Sequence, residues 1–254
     1  NIGQVKNPKN PNLFSVVAIG ASAGGLKAFT DLLNALPPAP GKAFVLVPHL
    51  APQFKSHMTE ILARSTSLPI SEVKSGDKVL PNRIYVIPPN RSMFIKAGVL
   101  HLSAFGHKSD WRNPIDSFFH SVADDQGKRA IGVLLSGEGS DGTDGLRAIK
   151  ERGGITFAQD GDTADHLSMP QSAVVSGCVD FILSPAEIGE RLGPVRDAGA
   201  EYQGGRVTNT KPGEESLNRI LELLRTVNGI DFEFYKRSML RRRIQRRMTL
   251  VRVR

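Results

Sequence analysis

The chain begins polar and rich in Pro and Asn, then changes character at Phe14, where Phe14 to Ile19 forms a continuous, largely β-branched run. Such a run predicts a strand buried on both faces, as in a parallel sheet covered by helices. From Leu26 the apolar residues recur at helical spacing (Leu26, Phe29, Leu32, Leu33, Leu36) until Pro37 and Pro38 end the segment. The unit then repeats, with a strand predicted from Ala43 to Val47 and a helix from Lys55 to Ser65 whose inner face carries Met58, Ile61 and Leu62. Short strands are predicted from Ile70 to Val73 and from Arg83 to Ile87. Met93 to Lys96 and Val99 to Leu102 flank Ala97-Gly98 as a hairpin, which predicts a mixed sheet. Beyond it the pattern predicts a helix from Pro114 to Asp124, a strand from Ala130 to Leu135, a helix from Gly142 to Arg152 and a strand from Ile155 to Ala158. A short helix from Gln171 to Val175, a strand from Val179 to Leu183 and a closing helix from Pro185 to Leu192 complete the series. Strands alternating with helices imply an α/β domain, doubly wound around a mostly parallel sheet with an antiparallel hairpin.

The pattern lapses over residues 194–213, where few bulky apolar side chains stand among several glycines and two prolines, the composition of a linker. Beyond it, Glu214 to Val227 is amphipathic (Leu217, Ile220, Leu221, Leu224), and Tyr235 to Leu250 predicts a second, very basic helix. The expected organisation is an N-terminal extension over 1–13, a main domain over 14–193, a linker over 194–213 and a short helical segment over 214–254.

Composition sharpens this outline at three points. The 254 residues are 40% apolar, enough for one sizeable core, and no apolar run approaches the roughly 20 residues a membrane span needs. No signal-peptide pattern opens the chain, so a cytoplasmic protein without membrane insertion is expected. The net charge of +8 is concentrated at one end: residues 211–254 hold 12 Lys and Arg against 5 acids, and the first 210 residues hold 21 against 20. An acidic partner would meet the tail. Nucleic acid is not expected, because no aromatic platform or recognition motif accompanies the basic helix. Cys178 has no partner for an internal disulfide and reads as a packed apolar residue.

The candidate chemistry begins at Gly20-Ala21-Ser22-Ala23-Gly24, a G-x-S-x-G placed between a buried strand and a helix, the context of a nucleophile elbow. Spacing alone leaves open a tight turn in which Ser22 simply caps the helix. A dinucleotide site is disfavoured, because Ser22 stands where the fingerprint needs its second glycine, and no Walker A loop is present. A serine nucleophile needs a base and a group to orient that base. Of the six histidines, His57 and His120 fall on predicted helices, His101 in the hairpin, His107 in a polar loop and His166 before Met169-Pro170. His49 directly follows a predicted strand, at the sheet edge where Ser22 lies. The acid is sought in the Gly-rich segment Ser136 to Gly145, which contains Asp141 and Asp144, either of which is equally a helix cap by type and position.

Several separated segments resemble, in order, the bacterial chemotaxis methylesterase family CheB over about residues 14–193: VVAIGASAGG, VPHLAP, IYVIPPN, WRNPIDSFFHSVA, LLSGEGSDGTDG and AQDGDTADHLSMPQSAV. The resemblance implies a serine esterase with Ser22, His49 and Asp141 as its triad, needing no metal or cofactor. The implied partner is a methylated chemoreceptor cytoplasmic region or a related signalling protein, whose glutamyl methyl esters are hydrolysed and whose glutamines are deamidated through the same acyl intermediate. Ala23 stands where the family commonly has Thr, and Glu138 where it usually has Met. A buried Glu138 carboxylate beside Ser22 would oppose an oxyanion and favour the alternative of an impaired esterase acting as a scaffold through its basic tail; a solvent-facing one would be harmless. Only about a dozen residues precede the first strand, leaving no room for the receiver domain usual in the family. ILELLRTVNGIDFEFYKRSMLRRRIQRRM resembles the helical N-terminal region of the chemotaxis methyltransferase family CheR. Together these imply the front part of a methylesterase and methyltransferase fusion, with no methyl transfer and no bound S-adenosylmethionine expected.

Overall fold

Seven strands, the inner ones apolar runs hidden from solvent and the edge ones short and partly exposed, make the central sheet of the computed structural model, which describes residues 14–48, 58–103 and 113–193. In chain order they are β1 (Val16–Ala21), β2 (Ala43–Pro48), β3 (Ile70–Glu72), β5 (Arg83–Val86), β8 (Ala130–Leu134), β9 (Ile155–Gln159) and β10 (Phe181–Leu183). Their spatial order is β10-β9-β8-β1-β2-β5-β3, and every neighbouring pair is parallel. β1, β2 and β8 have no exposed residue, as their unbroken apolar sequences require.

The hairpin does not join this sheet. β6 (Ser92–Lys96) and β7 (Val99–Ser103) pair with a two-residue strand, β4 (Asp77–Lys78), in a separate antiparallel sheet. The expected mixed sheet therefore resolves into a wholly parallel one and a small satellite. Ala97 and Gly98 both take positive φ at the hairpin tip (52° and 74°), the two-residue turn that matches the twist of paired strands. β4 was not foreseen, since Asp77 and Lys78 carry no apolar signal.

The helices are α1 (Gly25–Asn34), α2 (Met58–Leu62), α3 (Pro114–Gln126), α4 (Thr143–Glu151), α5 (Ser168–Val175) and α6 (Pro185–Arg191). Val16 and Ala18 of β1 and Ala43, Val45 and Val47 of β2 share one core cluster with Ile115, Phe118 and Phe119 of α3, Leu146 and Ile149 of α4 and Met169 of α5. The alternate strand positions Val17, Ile19, Phe44 and Leu46 are equally buried, as are Phe29, Leu32 and Leu33 on α1 and Ile188 on α6, which packs against α1. α3 also carries the satellite sheet, where Ser121 Oγ accepts from the Ile95 amide (3.1 Å) and Asp125 Oδ2 from the Gly98 amide (3.2 Å).

Ile61, expected on the inner face of the second helix, is exposed, and α2 tightens into a 3-10 turn at Ala63; two further differences in boundary have a physical reason. α5 begins at Ser168 rather than Gln171, because Pro170 falls in its first turn, where an absent N–H loses no helical bond. β10 begins at Phe181, because Asp180 is engaged sideways, accepting at Oδ2 from the Thr156 amide (3.1 Å) and hydroxyl (3.1 Å).

The chain divides into two compact units, Asn1–Glu201 and Tyr202–Arg254. The extension over 1–13, the linker over 194–213, the two helices expected beyond it, His49, His57 and His107 lie outside the described residues. Phe119 is wholly buried between α3, α4 and β8, with its Cβ against Gly145. Phe119→Ala is expected to lower unfolding free energy by about 3–5 kcal/mol in urea titration.

Candidate functional site

The sheet reverses its winding at β1: β2 and its neighbours build outwards on one side, β8, β9 and β10 on the other. The C-terminal ends of β1 and β8 meet there, at the switch point beside which open α/β sheets bind ligands in a crevice. Ser22 leaves β1 and the segment Leu135 to Gly142 leaves β8.

The two loops are held together by continuing the ladder beyond the strands. The Leu135 amide donates to Gly20 O and the Ser22 amide to Ser136 O, each at 2.9 Å. Behind Ser22 the chain turns sharply into α1, with Gly24 at φ 73° and the Gly25 amide donating to Ser22 O at 2.9 Å. A Cβ on Gly24 would lie 2.6 Å from Ser136 Oγ, and one on Gly137 would lie 2.9 Å from Ser22 Cβ, so both glycines are needed for the backbone of one loop to touch the other. Ser22 is half-buried at this junction.

Ser136 and Gln159 bind a third loop into the crevice, and neither was singled out in the sequence. Ser136 Oγ donates to Ala23 O (2.9 Å) and accepts from the His166 amide (3.0 Å), while its own amide donates to Gln159 Oε1 (2.7 Å). His166 O in turn accepts from the Gly137 amide at 3.0 Å. The available signal was two polar residues, both now buried, at the ends of the apolar strands β8 and β9.

Asp141 lies across the same edge and is buried. It is indeed a helix cap, as its sequence position allowed, but of α3 rather than of the following helix α4. Its Oδ2 accepts from the Ile115 amide (3.1 Å) and its Oδ1 from the Asp116 amide (2.9 Å), within the first turn of α3. Burial pushes its carboxyl up to about 6, and the adjacent Asp116 charge acts the same way, while the amides of Asp116, Ile115 and Gly142 oppose the rise. Asp144 faces outwards instead, pairing with His120 (2.9 Å) and Arg147 (2.6 Å) on an exposed surface. His101 stacks on Phe94 in the satellite sheet, ring centroids 5.0 Å apart. His49 lies outside the described residues, directly after Pro48, which pairs with Ala21, the residue before Ser22.

Glu138 turns away from the core: its side chain is 72% exposed and its Oε1 stands 3.2 Å from His166 Nδ1. The condition under which it would burden Ser22, burial of an uncompensated carboxylate, is not met.

Residues 17–192 match the family described as CheB methylesterase. The chain belongs to that family. Within it, the chain is 37% identical over 177 residues to protein-glutamate methylesterase/protein-glutamine glutaminase 2 of Anaeromyxobacter dehalogenans, covering 70% of this chain and 52% of that protein. It is 38% identical over 183 residues to protein-glutamate methylesterase/protein-glutamine glutaminase 3 of Pseudomonas aeruginosa, covering 72% and 55%. The chain thus spans about half the length of these curated relatives. The crystal structure of the Thermotoga maritima CheB methylesterase catalytic domain superposes with a TM-score of 0.66 at 27% identity, covering 71% of this chain and 98% of that one. Residues 215–254 match the all-alpha domain of CheR methyltransferase, so a CheB region is followed by the start of a CheR region, as in a fusion of the two.

Among the described residues of this CheB-family domain, no group of three His, Cys, Asp or Glu side chains is placed to hold a metal ion, and no helix is long and apolar enough to cross a membrane. Ser136→Ala removes a buried hydroxyl that joins three loops, leaving Ala23 O and the His166 amide to find other partners. It is expected to cost about 1–3 kcal/mol in chemical denaturation and to slow labelling of Ser22 by a fluorophosphonate probe.

Proposed function

We propose that the domain over 14–193 is a serine esterase that hydrolyses glutamate methyl esters on chemoreceptors, with Ser22 as nucleophile, His49 as general base and Asp141 as the group that orients and charge-balances the histidine. The observation that carries this reading is the sheet edge at the winding reversal, which Ser22 on its glycine turn and the buried carboxylate of Asp141 share. The names of the relatives supply the substrate class.

In the reaction, His49 takes the Ser22 proton as Oγ attacks the ester carbonyl, and the resulting imidazolium is balanced by Asp141. The tetrahedral oxyanion draws on nearby amides: those of Ala23, which follows Ser22, and Glu138, which follows the Gly137 packed on Ser22, donate to no backbone carbonyl among the described residues. His49 then returns its proton to the leaving methoxide, releasing methanol, and next activates water to cleave the glutamyl ester of Ser22. Receptor glutamine enters the same acyl intermediate by losing ammonia, which gives the glutaminase reaction. The substitution of Thr by Ala23 leaves this scheme intact, since what it uses at that position is the backbone amide.

The receptor's cytoplasmic region is the proposed partner, and the cytoplasm the proposed location. The basic segment over 214–254, with the linker over 194–213 before it, carries the charge that an acidic receptor surface would attract.

Methanol release from methylated receptor fragments by the full chain tests this reading. Asp141→Asn is expected to reduce kcat by about 10³–10⁴-fold. Since the Asp141 carboxyl is raised to about 6, it is charged above that pH and protonates below it, so the acid limb of kcat/KM is expected near pH 6. Undiminished release by Asp141→Asn would overturn the triad.

A further inference from the structure

Neither α3 nor α4 has a capping side chain of its own: Asn113 and Gly142 occupy the N-cap positions and neither makes a side-chain cap bond. Each helix is capped by a carboxylate from the start of the other. Asp141, two residues before α4, accepts from the Ile115 and Asp116 amides of α3. Asp116, in the first turn of α3, accepts at Oδ1 from the Gly145 amide of α4 at 2.7 Å. Gly145 has to lack a side chain for this exchange, because a Cβ there would lie 2.4 Å from Phe119 Cβ and 3.1 Å from Asp116 O.

Asp116 therefore reaches Asp141 by two routes. Its amide bonds the Asp141 carboxylate directly, and its carboxylate pins Gly145, four residues along the chain. With both ends of that short segment fixed, the Asp141 backbone has little freedom to swing its carboxylate along the crevice. We propose that Asp116 is a positioning residue for the esterase reaction, setting the place of the Asp141 carboxylate by anchoring the first turn of α4. This rests on the assignment of Asp141 to the triad. The exposed His120–Asp144 pair crosses the same junction, but solvent screening makes it a weak substitute for the Gly145 bond.

The test is steady-state kinetics of methyl ester hydrolysis by the full chain carrying Asp116→Ala, Asp116→Asn or Asp116→Glu, each assayed below its own melting temperature, with Asp141→Asn alongside. Asp116→Ala removes the acceptor and is expected to lower kcat by about 10–100-fold with KM within about twofold, the pattern of misplaced catalytic groups rather than lost substrate binding. Asp116→Asn keeps an oxygen for the Gly145 amide and is expected to restore kcat to within about threefold of the parent. Asp116→Glu keeps the charge but carries its oxygens one methylene further out, and is expected to share most of the kcat loss even if the alanine variant does not fold. A parent-like kcat in the alanine or glutamate variant, or an asparagine variant as slow as either, overturns the proposal. Full activity of Asp141→Asn would instead sink the triad reading on which it rests.

Discussion

The parallel pairing of β1 with β8 continues past the end of both strands, and the rest of the site depends on that continuation. Register fixes Gly20 opposite Leu134, and the next two bonds, Leu135 N to Gly20 O and Ser22 N to Ser136 O, belong to loops rather than to strands. On a free loop Ser22 would have no fixed place relative to its neighbours. Here its backbone is held by the same ladder that holds the core, and the winding reversal that separates the flanking helices leaves room for a substrate beside it. The cost is steric and is met by glycine at 24 and 137, where any side chain would enter the opposing loop.

Electrostatics follow from that geometry. Drawing Asp141 into the sheet edge strips it of water, which by itself would favour the neutral acid. Two amides at the start of α3, together with the positive end of that helix, return part of the lost solvation, so the carboxyl settles near 6 rather than far above it. A carboxylate so held is charged at neutral pH yet poorly shielded, the condition in which it can stabilise an imidazolium. Asp116 sits in the same field and is raised for the same reason, with burial as the main cause and the Gly145 amide opposing it.

What the sequence made legible was whatever depends on runs and periods. Strands buried on both faces announce themselves, so β2 and β8 were read to within one residue and β1 to within two, and the glycine turns at Ser22 and Asp141 stood out as breaks between a strand and a helix. Relations across the chain were not legible. Nothing local says that Asp141 caps the helix before it rather than the one after it, or that Ser136 will meet His166, thirty residues on. The hairpin was read correctly as a hairpin, but its separation from the parallel sheet depends on Asp77 and Lys78, which reveal a strand only through the partner they find at Val99 and Leu100. Glu138 shows the opposite limit: the departure from the family pattern was plain, and only its exposed side chain shows that the change adds no buried charge beside Ser22.

The central claim is covalent catalysis at Ser22. The most direct measurement is peptide mapping by mass spectrometry after the full chain, turning over a methylated receptor fragment, is quenched in acid. A glutamyl-ester adduct of the receptor peptide is expected on the fragment containing Ser22, trapped by the acid quench and absent from a Ser22→Ala chain. Continued methanol release with no adduct at Ser22, or an adduct on another residue, would contradict it.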